Sequence, residues 1–165
     1  MKSAEYWIEK LNLQPHPEGG FYKENYRSTE VIPGEALPPR FGGARTYSTS
    51  IYFLLRSEDR SAFHRIQSDE LWHYHAGASL SIYVLKEDHV AVHVLGADIE
   101  RGESLHVVIP ANCWFGARVN EDSSYVLAGC TVAPGFDFAD FELAKRHELT
   151  SLYPSHTDII HQLTK

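Results

Sequence analysis

From residue 45 onward the chain is a succession of short alternating or apolar runs, and this pattern limits its fold more than any other feature. The runs span residues 47–55, 61–65, 70–75, 79–85, 89–95, 104–110, 113–119 and 125–132. In the fourth, Leu80, Ile82 and Val84 alternate with Ser81 and Tyr83, the period of a strand with one buried face. Polar or Gly-containing turns at residues 56–60, 86–88, 96–102 and 120–123 separate most of them. Many short strands at such spacing predict an all-β antiparallel sandwich or barrel. With 165 residues the chain is large enough to bury a core, and residues 1–165 are read as one domain.

Helices are predicted only at the ends. Ala4, Trp7, Ile8 and Leu11 share one helical face behind Ser3, a candidate N-cap. Ser155 and Asp158 are spaced as a capping box for a helix over 157–163, with Ile159, Ile160 and Leu163 buried. Residues 29–43, rich in Pro and Gly, are expected to form a long loop, either a lid over a pocket or a plain excursion. Residues 138–148 are expected to form an edge strand or a short helix.

The net charge of −7 argues against nucleic-acid and anionic-membrane partners, which require clustered basic residues. Cys113 and Cys130 lie in apolar strand contexts and are read as buried thiols. No apolar run approaches the roughly 20 residues that span a bilayer, and the N-terminus lacks a cationic region followed by a long apolar run. A soluble, cytoplasmic protein is the expectation.

Groups suited to chemistry are densest in residues 63–77, which hold His64, Asp69, Glu70, His73 and His75. In a regular strand His73 and His75 face one way, while Glu70, Trp72 and Tyr74 face the other. Two rival sites result, and only a bulge would merge them. Proton chemistry would use His64 as base and Glu70, Tyr74 or Tyr52 as acid. A divalent metal would need His64, Glu70 and His75 brought together by a bulge. Tyr52, Trp72, Trp114 and Phe115 are candidate ligand-binding aromatics, with Arg65 and Arg118 as cations for a phosphate or carboxylate. Packing accounts for the same aromatics, and a hydrogen-bonded barrel histidine accounts for His64. Glu18 and Arg27 read either as pocket residues or as a turn residue and a surface charge. His89, His93 and His106 belong to outer faces and receive no role.

Three motifs in order carry a resemblance over nearly the whole chain: His16-Pro17-Glu18-Gly19-Gly20-Phe21-Tyr22, then Phe63-His64-Arg65 leading to Asp69-Glu70 and Trp72, then Pro134-Gly135-Phe136-Asp137-Phe138. The chain resembles the cupin superfamily, in particular its subfamily known as a domain of unknown function. In the first cupin motif, the spacing from Glu70 to Gly77 is kept, but Ile66 stands where a second His is expected if His64 is the first. If His64 is the second, Ala62 replaces the first. In the second motif, residues 110–115 keep the turn as Pro110-Ala111-Asn112 and place Phe115 where the ligand His belongs. Two ligands are therefore missing.

The resemblance implies a jelly roll, or double-stranded β-helix, with short terminal helices, and a homodimeric habit. It also implies a pocket in the barrel mouth and similarity to sugar-nucleotide epimerases and isomerases that work without metal, and the expected partner is a small polar, sugar-like metabolite. A non-catalytic binding module and a divalent-metal enzyme remain the alternatives.

Overall fold

A computed structural model of the chain describes residues 2–165. Helix α1 (Ala4–Leu11) comes first, capped by the Ser3 hydroxyl, which accepts from the Tyr6 N–H at 3.2 Å. Thirteen strands follow in chain order: β1 (Gln14–Pro15), β2 (Phe21–Arg27), β3 (Val31–Ile32), β4 (Arg45–Thr46), β5 (Thr49–Arg56), β6 (Ser61–Arg65) and β7 (Asp69–Gly77). The rest are β8 (Leu80–Leu85), β9 (Val90–Leu95), β10 (His106–Ile109), β11 (Phe115–Val119), β12 (Tyr125–Ala133) and β13 (Glu142–Leu143). Helices α2 (Arg146–Leu152) and α3 (Thr157–Gln162) close the chain.

The strands form a six-stranded sheet in the order β1-β2-β5-β12-β7-β10 and a five-stranded sheet in the order β13-β6-β11-β8-β9. Strands β3 and β4 make a separate pair. From β5 to β12 the chain passes back and forth between the two large sheets, except at β8 and β9, which pair with each other in the five-stranded sheet. That exchange is the jelly roll.

Alternation explains the core. Phe53 and Leu55 of β5, Trp72 of β7 and Val126, Ala128 and Cys130 of β12 point from one sheet toward Leu80, Ile82, Val84, Phe115 and Ala117 of the other. Phe53 is 1% exposed, and truncating such a side chain to Ala costs about 3–5 kcal/mol. Both sheets are also covered on the outside. Helix α1 lays Ala4, Trp7 and Ile8 against Leu54 and Leu127, and α2 and α3 bury Leu149 and Ile160 against Phe63, Leu85 and Trp114.

Two backbone positions follow from their residue types. Gly77 has φ 99°, and a Cβ there would collide with the Tyr125 carbonyl. Asn112, where the cupin turn carries Gly, has φ 62°, which Asn tolerates better than most residues.

Residues 138–148 hold both elements expected of them, the edge strand β13 and the start of α2, after a 3-10 turn at Phe138–Asp140. Two local expectations need correction. Residues 29–43 are not without structure: they contain β3 and a 3-10 turn at Gly34–Ala36, and Phe41 is buried. Ser155 does not cap α3, because the 3-10 turn Pro154–His156 intervenes and puts His156 at the cap position with no side-chain bond.

Candidate functional site

Between the two sheets lies a cavity of about 670 Å³, large enough for a small organic ligand. Inner-face residues of β2, β5, β7 and β12 line one side of it, and His64 of β6 approaches from the facing sheet.

Glu18 reaches this cavity through a tight turn. The His16 N–H bonds to the Gly20 carbonyl at 2.9 Å and the Gly19 N–H to the His16 carbonyl at 3.0 Å. Gly19 and Gly20 supply the positive φ values, 121° and 72°, that let the chain reverse there. The turn is pinned to β6, whose Ala62 N–H donates to the Glu18 carbonyl at 2.9 Å. The Glu18 carboxyl, 5% exposed as a residue, accepts from the Ser61 hydroxyl at 2.7 Å and lies 3.0 Å from His64 Nε2. His16 Nδ1 accepts from the Glu18 N–H at 3.3 Å and stands 3.6 Å from the same carboxyl.

The protonation of this group follows from its hydrogen bonds. His64 Nδ1 is 2.8 Å from the Ala62 carbonyl, which can only accept, so Nδ1 carries the hydrogen and Nε2 faces Glu18. Burial lowers the His64 pKa to about 4 and raises that of Glu18. His16 is likewise lowered by burial, against the pull of Glu18. A single proton between Glu18 and His64 Nε2, residing on the carboxyl, satisfies both residues.

Glu70 projects from the inner face of β7 into the same cavity and is 8% exposed. Burial, reinforced by the Glu18 carboxyl, pushes its pKa up to about 8, against a weak opposing bond from the Cys130 thiol. The Cys130 thiol is itself pushed well up by burial and stays protonated. Two residues along β7, Trp72 packs edge-on to Phe53 at 5.5 Å, and its indole N–H has no hydrogen-bond partner among the described residues.

The remaining wall is the segment 136–141, which contributes Phe136, Asp137, Phe138 and Phe141. Backbone bonds from Gly135 N–H to the Thr46 carbonyl (2.8 Å) and from Phe136 N–H to Thr49 Oγ1 (2.9 Å) hold one end. A buried bidentate ion pair from Arg45 to Asp140, at 2.7 and 2.6 Å, holds the other. Lys23 and Arg27 reach the rim, where Arg27 is engaged by Glu24 at 2.7 Å.

Of the residues singled out from sequence, His64, Glu70 and Trp72 line the cavity, as do Glu18 and Arg27. Phe115 lies behind His64, with ring centroids 4.2 Å apart. The others lie elsewhere than the sequence reading placed them. The Tyr74 hydroxyl donates to the Gly77 carbonyl at 2.6 Å, outside the cavity lining. Tyr52 is on the outer face of the six-stranded sheet, 6.1 Å from His75. Trp114, Arg65 and Arg118 belong to the outer side of the five-stranded sheet. There Arg65 stacks over Trp114 at 4.5 Å and bonds Glu142 at 2.7 Å, while Arg118 bonds Gln162 at 2.8 Å. No residue of the 29–43 segment, read from sequence as a lid or a plain excursion, lines the cavity.

The metal triad is corrected too. A bulge does occur in β7, since Ala76 pairs with Leu127 and Tyr74 with Ala128 and His75 is passed over. It leaves His75 exposed on the outer face, near His73, which stacks on His106 at 4.8 Å. Among the described residues no three His, Cys, Asp or Glu side chains gather as metal ligands. Ile66 lines the cavity and Phe115 backs it, apolar groups where cupin ligands are expected. The donor set does not fit a metal centre.

His16 escaped the sequence reading as a site residue. Its only signal is the adjacency of Pro17, Glu18 and a Gly pair, which marks a constrained turn but not its destination.

Comparison with known proteins agrees with the architecture. A hypothetical protein from Leishmania major is 38% identical, with 99% of each chain covered and a TM-score of 0.90. A protein from Shewanella oneidensis is 40% identical over 100% of this chain and 99% of its own, with a TM-score of 0.89. Oxalate decarboxylase from Bacillus subtilis shares the fold at 11% identity and a TM-score of 0.54, with 90% of this chain and 36% of its own covered. No curated protein matches. Among the described residues no helix is long and apolar enough to cross a membrane. The model of the cupin superfamily family DUF985 matches residues 5–144, and the chain belongs to that family.

Proposed function

We propose that this cupin binds a small polar metabolite of sugar-like size and moves a proton on it, in the manner of an epimerase or isomerase, with Glu18, His64 and Glu70 as the working groups. The observation that carries this reading is the 3.0 Å contact between Glu18 and His64 Nε2 in the same cavity as a second buried carboxyl. Glu18 accepts a proton from a carbon beside a carbonyl while passing its own to His64 Nε2. Glu70, protonated at neutral pH, donates to the carbonyl oxygen, giving an enediol; Glu70 then takes back a hydroxyl proton, from the first oxygen as Glu18 reprotonates the same carbon or from the second as Glu18 protonates the neighbouring carbon, which is isomerisation.

The test is solvent-deuterium uptake by a panel of hydroxy-carbonyl sugars in D₂O, followed by NMR. Uptake beside the carbonyl is expected with the wild type, falling by about 10²-fold or more in Glu70→Gln. Panel members that raise the melting temperature yet exchange nothing would favour the second reading, a non-catalytic binding module. That reading has its own support: Ser61 and Ala62 already satisfy the Glu18 and His64 pair, so it can serve as a fixed template.

A further inference from the structure

We propose that the ligand of this cavity carries a positively charged nitrogen, an ammonium or related organic cation, held by the Glu18 and Glu70 carboxyls and flanked by the aromatic rings of Tyr22, Phe53 and Trp72. The inference rests on the binding reading of the cavity, in which Glu70 gives up its proton to solvent as the cation enters rather than to a substrate carbonyl, and it names the class of molecule that the site takes.

Two carboxyls, 5% and 8% exposed as residues, line one cavity. Among the described residues neither is ion-paired with a Lys or Arg. Glu18 meets Ser61, His16 and His64, and Lys165 acts on it only from a distance, its ammonium being bonded to the Pro17 carbonyl at 2.6 Å. Glu70 has only the Cys130 thiol, a weak partner. A carboxyl more than nine-tenths buried with so little protein bonding is costly to hold. A cation in the cavity removes that cost, because it lets the carboxyl ionise beside an opposite charge.

The walls favour the same class. Aromatic faces attract a desolvated cation through their quadrupoles, and Phe136 and Phe141 continue the aromatic surface. An anionic group at the same depth meets two carboxyls, with the cations Lys23 and Arg27 only at the rim and Arg27 already engaged by Glu24. The cation is organic because no three metal-ligating side chains gather among the described residues and because 670 Å³ suits an organic ligand.

Three probes with the same ring but different charge decide the matter: benzylammonium, benzyl alcohol and benzoate, titrated at neutral pH by calorimetry or NMR shift. Benzylammonium is expected to bind with a dissociation constant on the order of 1 mM and at least about 10-fold tighter than the alcohol, with benzoate weakest. In Glu70→Gln the preference for the cation shrinks toward parity. Equal or tighter binding of the alcohol or of benzoate overturns the inference and leaves the cavity a binding site. A cation preference that Glu70→Gln does not reduce also overturns it, since the charge would then be read elsewhere. Binding by none of the three overturns the inference and the binding reading together.

Discussion

His64 presents Nε2 to the Glu18 carboxyl at 3.0 Å while its Nδ1–H is held by the Ala62 carbonyl at 2.8 Å, so the ring can neither rotate nor change tautomer without losing a buried bond. The arrangement predicts a contrast between two substitutions. Glu18→Gln keeps a donor toward Nε2 and an acceptor for Ser61, so urea-unfolding stability should change by less than about 1 kcal/mol. It removes the transferable proton, and deuterium exchange should fall by about 10²-fold or more. Glu18→Ala leaves Ser61 and His64 buried without their partner, and stability should fall by about 1–3 kcal/mol. Exchange retained in Glu18→Gln would dismiss Glu18 as the base.

The pH dependence of stability separates Glu70 from the histidines. The Glu70 pKa is raised from 4.5 to about 8, so the folded protein holds a proton that the unfolded chain releases, and stability falls as pH rises through that window. His64 works in the opposite direction: lowered from 6.5 to about 4, it leaves the unfolded chain to take up a proton first, and stability falls as pH drops from 6.5. The two slopes oppose each other between 4.5 and 6.5, and from 6.5 to about 8 Glu70 acts without His64. Urea-unfolding free energy should therefore decline over that upper window in the wild type. Part of the decline should vanish in Glu70→Gln, the rest coming from Glu18, whose carboxyl burial also raises, and an unchanged slope would contradict the burial argument.

His75 supplies a control. It lies on the outer face beside Tyr52 while Glu70 lines the cavity, so His75→Ala should leave the Glu70 titration, followed by carboxyl ¹³C shifts, where it is. A downward move of the Glu70 pKa on adding zinc, abolished by His75→Ala, would restore the metal triad that the geometry separates.

The strands were legible because their residues alternate, and alternation also put Glu70 and Trp72 on one face of β7, with His73 on the other. Trp114, Arg65 and Arg118 are chosen by residue type instead, as a pocket aromatic and as cations for an anion, although alternation sets Arg65 opposite His64 and both Trp114 and Arg118 opposite Phe115. Period-two patterning tells inner from outer only when the outer face is wet, and here α2 and α3 cover the outside of the five-stranded sheet, burying Phe63, Leu85 and Trp114 there. Tyr52 was misplaced for a related reason, since α1 packs on the outer face beside it. Glu18 arrives by a turn rather than a strand, so no periodicity marks its direction. Its meeting with His64, 46 positions away in sequence, is a tertiary contact that the local pattern does not encode.

Arg45 and Asp140 join the strand before β5 to the aromatic wall of the cavity, and their ion pair is buried, with side chains 6% exposed on both sides. Removing one partner strands the other charge, so Arg45→Met should cost about 3–5 kcal/mol in urea unfolding. Replacing both, as in Arg45→Met with Asp140→Leu, should recover most of that loss, because an apolar pair needs no compensating charge. The wall adds a second readout. Asp140 closes the turn that carries Phe138 and Phe141 along the cavity, so the single variant should also weaken benzylammonium binding, and the double variant should restore it in step with stability. A single variant that loses stability but binds as the wild type does would show that the backbone bonds of Gly135 and Phe136 hold the wall without the ion pair.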